Sequence, residues 1–143
     1  MDITARLIED LEWCKSYLAE NKKRLTERYK FCANRLEEMG LQIRKSTAGF
    51  FLWVDFKSIC GNASFEQETD FFTYLMENAK VFIVPGKESF CEQPGWFRIT
   101  FTSNSNYVNK GLERIEKAIR SYKRKDSVTA DNSNSMHISH ILF

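Results

Sequence analysis

An apolar seam running from Ile3 to Met39 constrains this chain more than any other feature. Leu7, Leu11, Cys14, Leu18, Leu25, Cys32, Leu36 and Met39 recur at spacings of three, four and seven, the period of one face of an α-helix. No proline interrupts the run. Glu, Lys and Arg fill the opposite face as a solvated surface, and Gly40 follows as a C-terminal cap. At ~1.5 Å per residue such a helix is about 55 Å long, whereas a compact domain of this size has a radius of gyration near ~14 Å. The rest of the chain is too small to cover it. Its N-terminal half is therefore expected to need a second chain or a domain outside this sequence. The alternative is a break near Glu20 and Asn21, which gives two shorter helices and still leaves residues 1–18 at the edge.

A length of 143 residues is that of one domain, and a 43% hydrophobic share with twelve Phe supplies a core. A net charge of +2 gives no electrostatic case for nucleic acid or an anionic membrane. No apolar run approaches the ~20 residues of a membrane span, and the acidic start M-D-I-T-A-R-L-I-E-D is not that of a secretory signal. Cys14, Cys32, Cys60 and Cys91 form no C-x-x-C pair, which argues against zinc. They are expected to be reduced, mostly buried thiols of a cytoplasmic protein.

Beyond the long helix, Leu41–Ser46 is a short extended segment and Phe50–Phe56 an aromatic strand expected to be buried on both faces. Ser64-Phe-Glu-Gln67 has capping-box spacing and opens a helix to about Lys80, with Phe71, Phe72, Leu75 and Met76 as its stripe. Val81–Val84 and Trp96–Thr102 are strands flanking a loop punctuated by Pro85-Gly86 and Pro94-Gly95. Asn104 or Ser105 caps a last helix carrying Val108, Leu112, Ile115, Ile119 and Tyr122. Periodicity ends at Lys123, so residues 123–143 are expected to be a disordered tail. His137 and His140 have a spacing metals use, but without further ligands they carry no metal site. The division is thus a long linker helix over 1–40, an α+β domain over 41–122 and the tail. The α+β part is a small, mostly antiparallel sheet with helices on one face.

One cation stands inside a predicted strand. Phe97, Ile99 and Phe101 share one face of Trp96–Thr102, toward the helices, and Trp96, Arg98 and Thr100 share the other. A guanidinium on a rigid strand suits two-pronged capture of a carboxylate or phosphate. The structural alternative is an internal ion pair with Asp55 or a glutamate, and the residues alone leave both open.

P-G-W-F-R-I-T-F-T, preceded by V-P-G-K-E-S-F-C-E-Q and by A-G-F-F-L-W-V-D-F, resembles the C-terminal small domain of fold-type-I pyridoxal-phosphate enzymes. The likeness is to the 1-aminocyclopropane-1-carboxylate synthase-like branch of class I/II aminotransferases, over roughly Leu18 to Tyr122. The resemblance implies that Arg98 binds the substrate α-carboxylate through a fork of two hydrogen bonds. It implies that Pro85-Gly86 shapes a loop toward the active-site cleft, that Ala48-Gly49-Phe50 lies near the substrate, and that the long helix joins two domains. The sequence also departs from the family. The Ser-x-x-Lys-type segment with the Schiff-base lysine, and the groups that hold the cofactor's ring nitrogen and phosphate, are missing, and Lys45 does not match that lysine. Pyridoxal phosphate is therefore expected in the full-length family but not on this chain alone, and no residue here is assigned a catalytic, cofactor-binding or metal role. The partners implied are an amino-acid-like substrate of the full enzyme and a missing large domain or homodimer partner. The reading is a small domain or truncated fragment; the alternative is an inactive truncated homologue serving only as an interaction module.

Overall fold

The computed structural model describes residue 4, residues 8–61 and residues 64–136, from residue 124 onward by backbone course only. Helix α1, Leu11–Glu38, runs unbroken through Glu20 and Asn21. It is capped at Asp10, whose carboxylate accepts the Trp13 N–H at 2.9 Å. Its far end is closed by Gly40 at φ +81°. There the Gly40 N–H donates to the Glu37 carbonyl at 2.8 Å and the Leu41 N–H to Leu36 at 3.2 Å. A glycine reaches this left-handed turn without the Cβ penalty.

Four short strands follow: β1 (Gln42–Arg44), β2 (Phe51–Asp55), β3 (Val84–Pro85) and β4 (Trp96–Thr100). They lie in the order β1-β2-β4-β3, every pair antiparallel. One helical turn, α2 (Lys57–Cys60), leaves β2. Helix α3 (Phe65–Tyr74) opens with the expected capping box, Ser64 and Gln67 exchanging side-chain and backbone bonds. It widens into a π turn over Leu75–Ala79 and ends at Lys80, which is left-handed at φ 54°. Helix α4 runs Ser105–Met136. The fold is α+β, as the sequence implies. No described helix is long and apolar enough to cross a membrane.

The stripes of α1, α3 and α4 meet one face of the sheet. Cys32 and Leu36, Phe71 and Leu75, and Leu112, Ile115 and Ile119 pack with Leu52, Val54, Phe97 and Ile99. Phe56, Phe71 and Phe97 stand mutually at 5.2–5.8 Å between ring centres, in tilted and edge-to-face pairs.

The structure corrects some expectations. β2 is not buried on both faces: Leu52 and Val54 are fully covered but Phe51 is 42% exposed. Helices cover one side of this antiparallel sheet, so its other face retains aromatic residues that a second layer would cover. Two of the four cysteines, Cys32 and Cys60, are buried; Cys14 and Cys91 are half-exposed. Helix α4 has no glycine or proline between Leu112 and Met136 to interrupt its backbone bonds. His137, His140 and Ile141–Phe143 lie outside the described residues.

Candidate functional site

β4 is the inner strand through which the candidate site is built. It pairs residue for residue with β2 (Trp53 opposite Arg98, Phe51 opposite Thr100) and with β3 at Val84 opposite Arg98. Phe97 and Ile99 are buried toward the helices, while Trp96 and Arg98 are half-buried on the uncovered face. The face expected for Arg98 from alternation is the face it occupies. Its guanidinium lies over the Phe51 ring, 4.6 Å from the centroid. No ion pair to Arg98 forms among the described residues. Asp55 instead accepts the Lys57 backbone N–H at 2.7 Å and faces the Lys57 Nζ at 3.9 Å. The Arg98 Nε is buried without an acceptor. A buried donor left unpaired costs roughly 1–3 kcal/mol, so a cation stacked on an aromatic ring with an unsatisfied N–H is poised for an anion. Arg44 belongs to the same uncovered face, opposite Trp53 on β1. Sequence reading missed it, because a three-residue strand shows too little alternation to orient.

A second feature was also missed. Glu68 on α3 is buried, and its carboxylate bridges the two Pro-Gly turns around the site's loop. Oε1 accepts the Lys87 N–H at 3.0 Å and Oε2 the Gly95 N–H at 2.7 Å. Both turns are tight. The Gly86 N–H donates to the Trp96 carbonyl at 2.7 Å, and a Cβ on Gly86 would stand 2.7 Å from that oxygen. Gly95 sits at φ +85°, against Lys57. A carboxylate so placed gives two charge-assisted bonds to otherwise orphaned amides. It fixes residues 86–95 at both ends, while Phe90, at the tip and left-handed at φ 57°, is 96% exposed. Nearby, burial pushes the Cys60 thiol up to about 12, with the Glu68 and Asp55 carboxylates acting the same way. Burial likewise raises Cys32, opposed by Arg28.

The uncovered face presents the Arg98 guanidinium, a group whose fork suits a carboxylate or phosphate. On the same face the Lys57 Nζ lies 5.4 Å over the Trp96 ring and is engaged by Asp55 and by Gln93 at 3.2 Å. No group of His, Cys, Asp and Glu suited to a metal ion occurs among the described residues.

Residues 2–115 match the family model described as aminotransferase class I and II. The chain belongs to the class I and II aminotransferases. Within that family it is 35% identical over 118 residues to 1-aminocyclopropane-1-carboxylate synthase 4 of Arabidopsis thaliana, covering 82% of this chain and 24% of the relative. It is 38% identical over 115 residues to synthase 11 of the same plant, covering 80% of this chain and 25% of the relative. Among solved structures, the aromatic aminotransferase of Pyrococcus horikoshii superposes with a TM-score of 0.70 at 24% identity, over 83% of this chain and 30% of that one. The Rhizobium meliloti aspartate aminotransferase superposes at 0.63 and 26%, over 73% of this chain and 27% of that one. The chain thus spans about a quarter of the length of the curated relatives it matches.

Proposed function

We propose that this chain is the small-domain part of a cytoplasmic, pyridoxal-phosphate-dependent enzyme of the 1-aminocyclopropane-1-carboxylate synthase-like branch. Arg98 binds the α-carboxylate of an amino-acid-like substrate there through two parallel N–H···O bonds. The observation that carries this reading is the Arg98 Nε, buried without an acceptor on a face that none of the described helices covers. The full enzyme's cofactor supplies the electron sink. This chain contributes the carboxylate anchor, the aromatic wall of Phe51 and Trp53, and the loop pinned by Glu68. The lysine and the phosphate cradle come from a large domain or a homodimer partner, so the chain alone has no transaminase or lyase activity.

A second reading, an inactive homologue kept as an interaction module, is favoured by the uncovered Leu11, Trp13, Tyr17 and Leu18 on α1. Co-expression with the lysine-bearing remainder of an Arabidopsis relative separates the two. In the first reading the pieces associate, retain pyridoxal phosphate through gel filtration and turn over an amino acid or S-adenosylmethionine. Arg98→Ala then raises KM by about 100-fold, the size expected for a charge-assisted pair of ~2–3 kcal/mol. Failure to associate favours the second reading; turnover by the chain alone overturns the first.

A further inference from the structure

We propose that the cavity between α4 and residues 80–84 is a binding site for an amphipathic organic anion, with a phosphate, sulfonate or carboxylate head on a flat or short apolar body. The cavity holds about 570 Å³, within the roughly 300–1,000 Å³ of small-molecule sites. It opens where β3 ends: only Val84 and Pro85 pair with β4, so no strand runs beside Thr100 on that edge. Ile83, Leu112 and Ile115 give it apolar walls, and Lys80, Lys110 and Arg114 line it with positive charge. Among the described residues no Asp or Glu lines it. A neighbouring cavity of about 330 Å³ shares Lys80 and Arg114, adds Lys117, and is also without a carboxylate. In a chain with 19 acidic and 21 basic residues, that separation of charge is local, not compositional. Cations gathered over apolar walls raise the local concentration of anions. Arg98 also borders the cavity, but its guanidinium is stacked on Phe51, which does not. The proposal concerns the part of the cavity lined by Lys80, Lys110 and Arg114, and Arg98→Ala distinguishes it from the carboxylate site proposed above.

Gly111 is the second observation. It lies inside α4 and lines the cavity, yet a Cβ there would meet nothing within 4 Å. Glycine is the poorest interior helix former after proline, and no close approach of backbone demands it here. What its missing side chain leaves is space in the cavity.

The test uses the full chain and two probes of the same body, 1-naphthyl phosphate and 1-naphthol, titrated by calorimetry and by amide NMR shifts. Saturable binding of the phosphate, at least tenfold tighter than the alcohol and weakened by added salt, is expected. Lys110→Glu should weaken it roughly tenfold or more. Gly111→Phe, checked for native helix content by circular dichroism, should abolish it by filling the space. Binding that survives Arg98→Ala belongs to this cavity. Equal affinity for the two probes, no saturation up to millimolar phosphate, or wild-type binding by either Lys110→Glu or folded Gly111→Phe would overturn the proposal.

Discussion

Along α1 the apolar seam is continuous, yet Leu36 is fully buried while Leu11 and Leu18, on the same face, are 67% and 63% exposed. The C-terminal turns lie against the sheet and α4; Cys32, Ala33 and Leu36 are covered there, and Arg35 reaches Glu116 at 3.4 Å. The N-terminal turns project past the sheet, with Trp13 and Tyr17 stacked on each other at 5.2 Å. Burying a leucine side chain is worth roughly 1.5–3 kcal/mol, so one helix carries both realised and unrealised stabilisation. Periodicity names the face that seeks cover. Whether cover exists depends on how far the sheet extends.

The largest expected effect breaks this contrast directly. Leu36→Ala should destabilise the chain by about 3–5 kcal/mol, the cost of a cavity where the core cannot collapse, and Leu18→Ala by less than ~0.5 kcal/mol; urea melts of both give the numbers. An equal cost at Leu18 would mean that the projecting half is covered in solution. Glu68→Ala should follow at about 2–3 kcal/mol, because it strands the Lys87 and Gly95 amides. Glu68→Gln, which keeps one acceptor, should cost less, and amide exchange at those two residues should speed up in step.

The buried thiol sharpens the comparison further. Cys60 keeps its proton up to about pH 12 when folded, against an ordinary thiol value of 9.0. Between those values the unfolded chain ionises and the folded one does not. Stability from this group is therefore intact below pH 9 and is lost as pH rises, at up to ~1.4 kcal/mol per unit. Cys60→Ala should flatten that slope in melts across pH 8–11. The smallest effect is on association. The wild-type chain should self-associate at high concentration through the projecting half of α1, and Leu11→Glu with Leu18→Glu should return it to monomer. A monomeric wild type by sedimentation would show that the exposed seam is tolerated alone.

Features encoded over a few residues were legible in the sequence. The Ser64–Gln67 box, the Gly40 cap and the side of β4 that holds Arg98 each depend on neighbours within a turn or a strand. β2 misled because Phe51 and Trp53 are aromatic on the uncovered face, where alternation normally shows polar residues. Glu68 was invisible because its partners are backbone amides 19 and 27 residues away, and no side-chain pattern marks an amide. The anchor role proposed for Arg98 came from the family resemblance; the alternation placed only its face. The cations around Gly111 come from two segments that the fold alone brings together.

The carboxylate of Glu68 also bears on how such a protein can diversify. With Lys87 and Gly95 both held to α3, the residues between them form a cassette whose ends do not depend on its contents. Lengthening a loop costs only ~0.6 kcal/mol per doubling. Segments of new length or chemistry can therefore be exchanged beside Arg98 while the frame that carries the arginine stays in place.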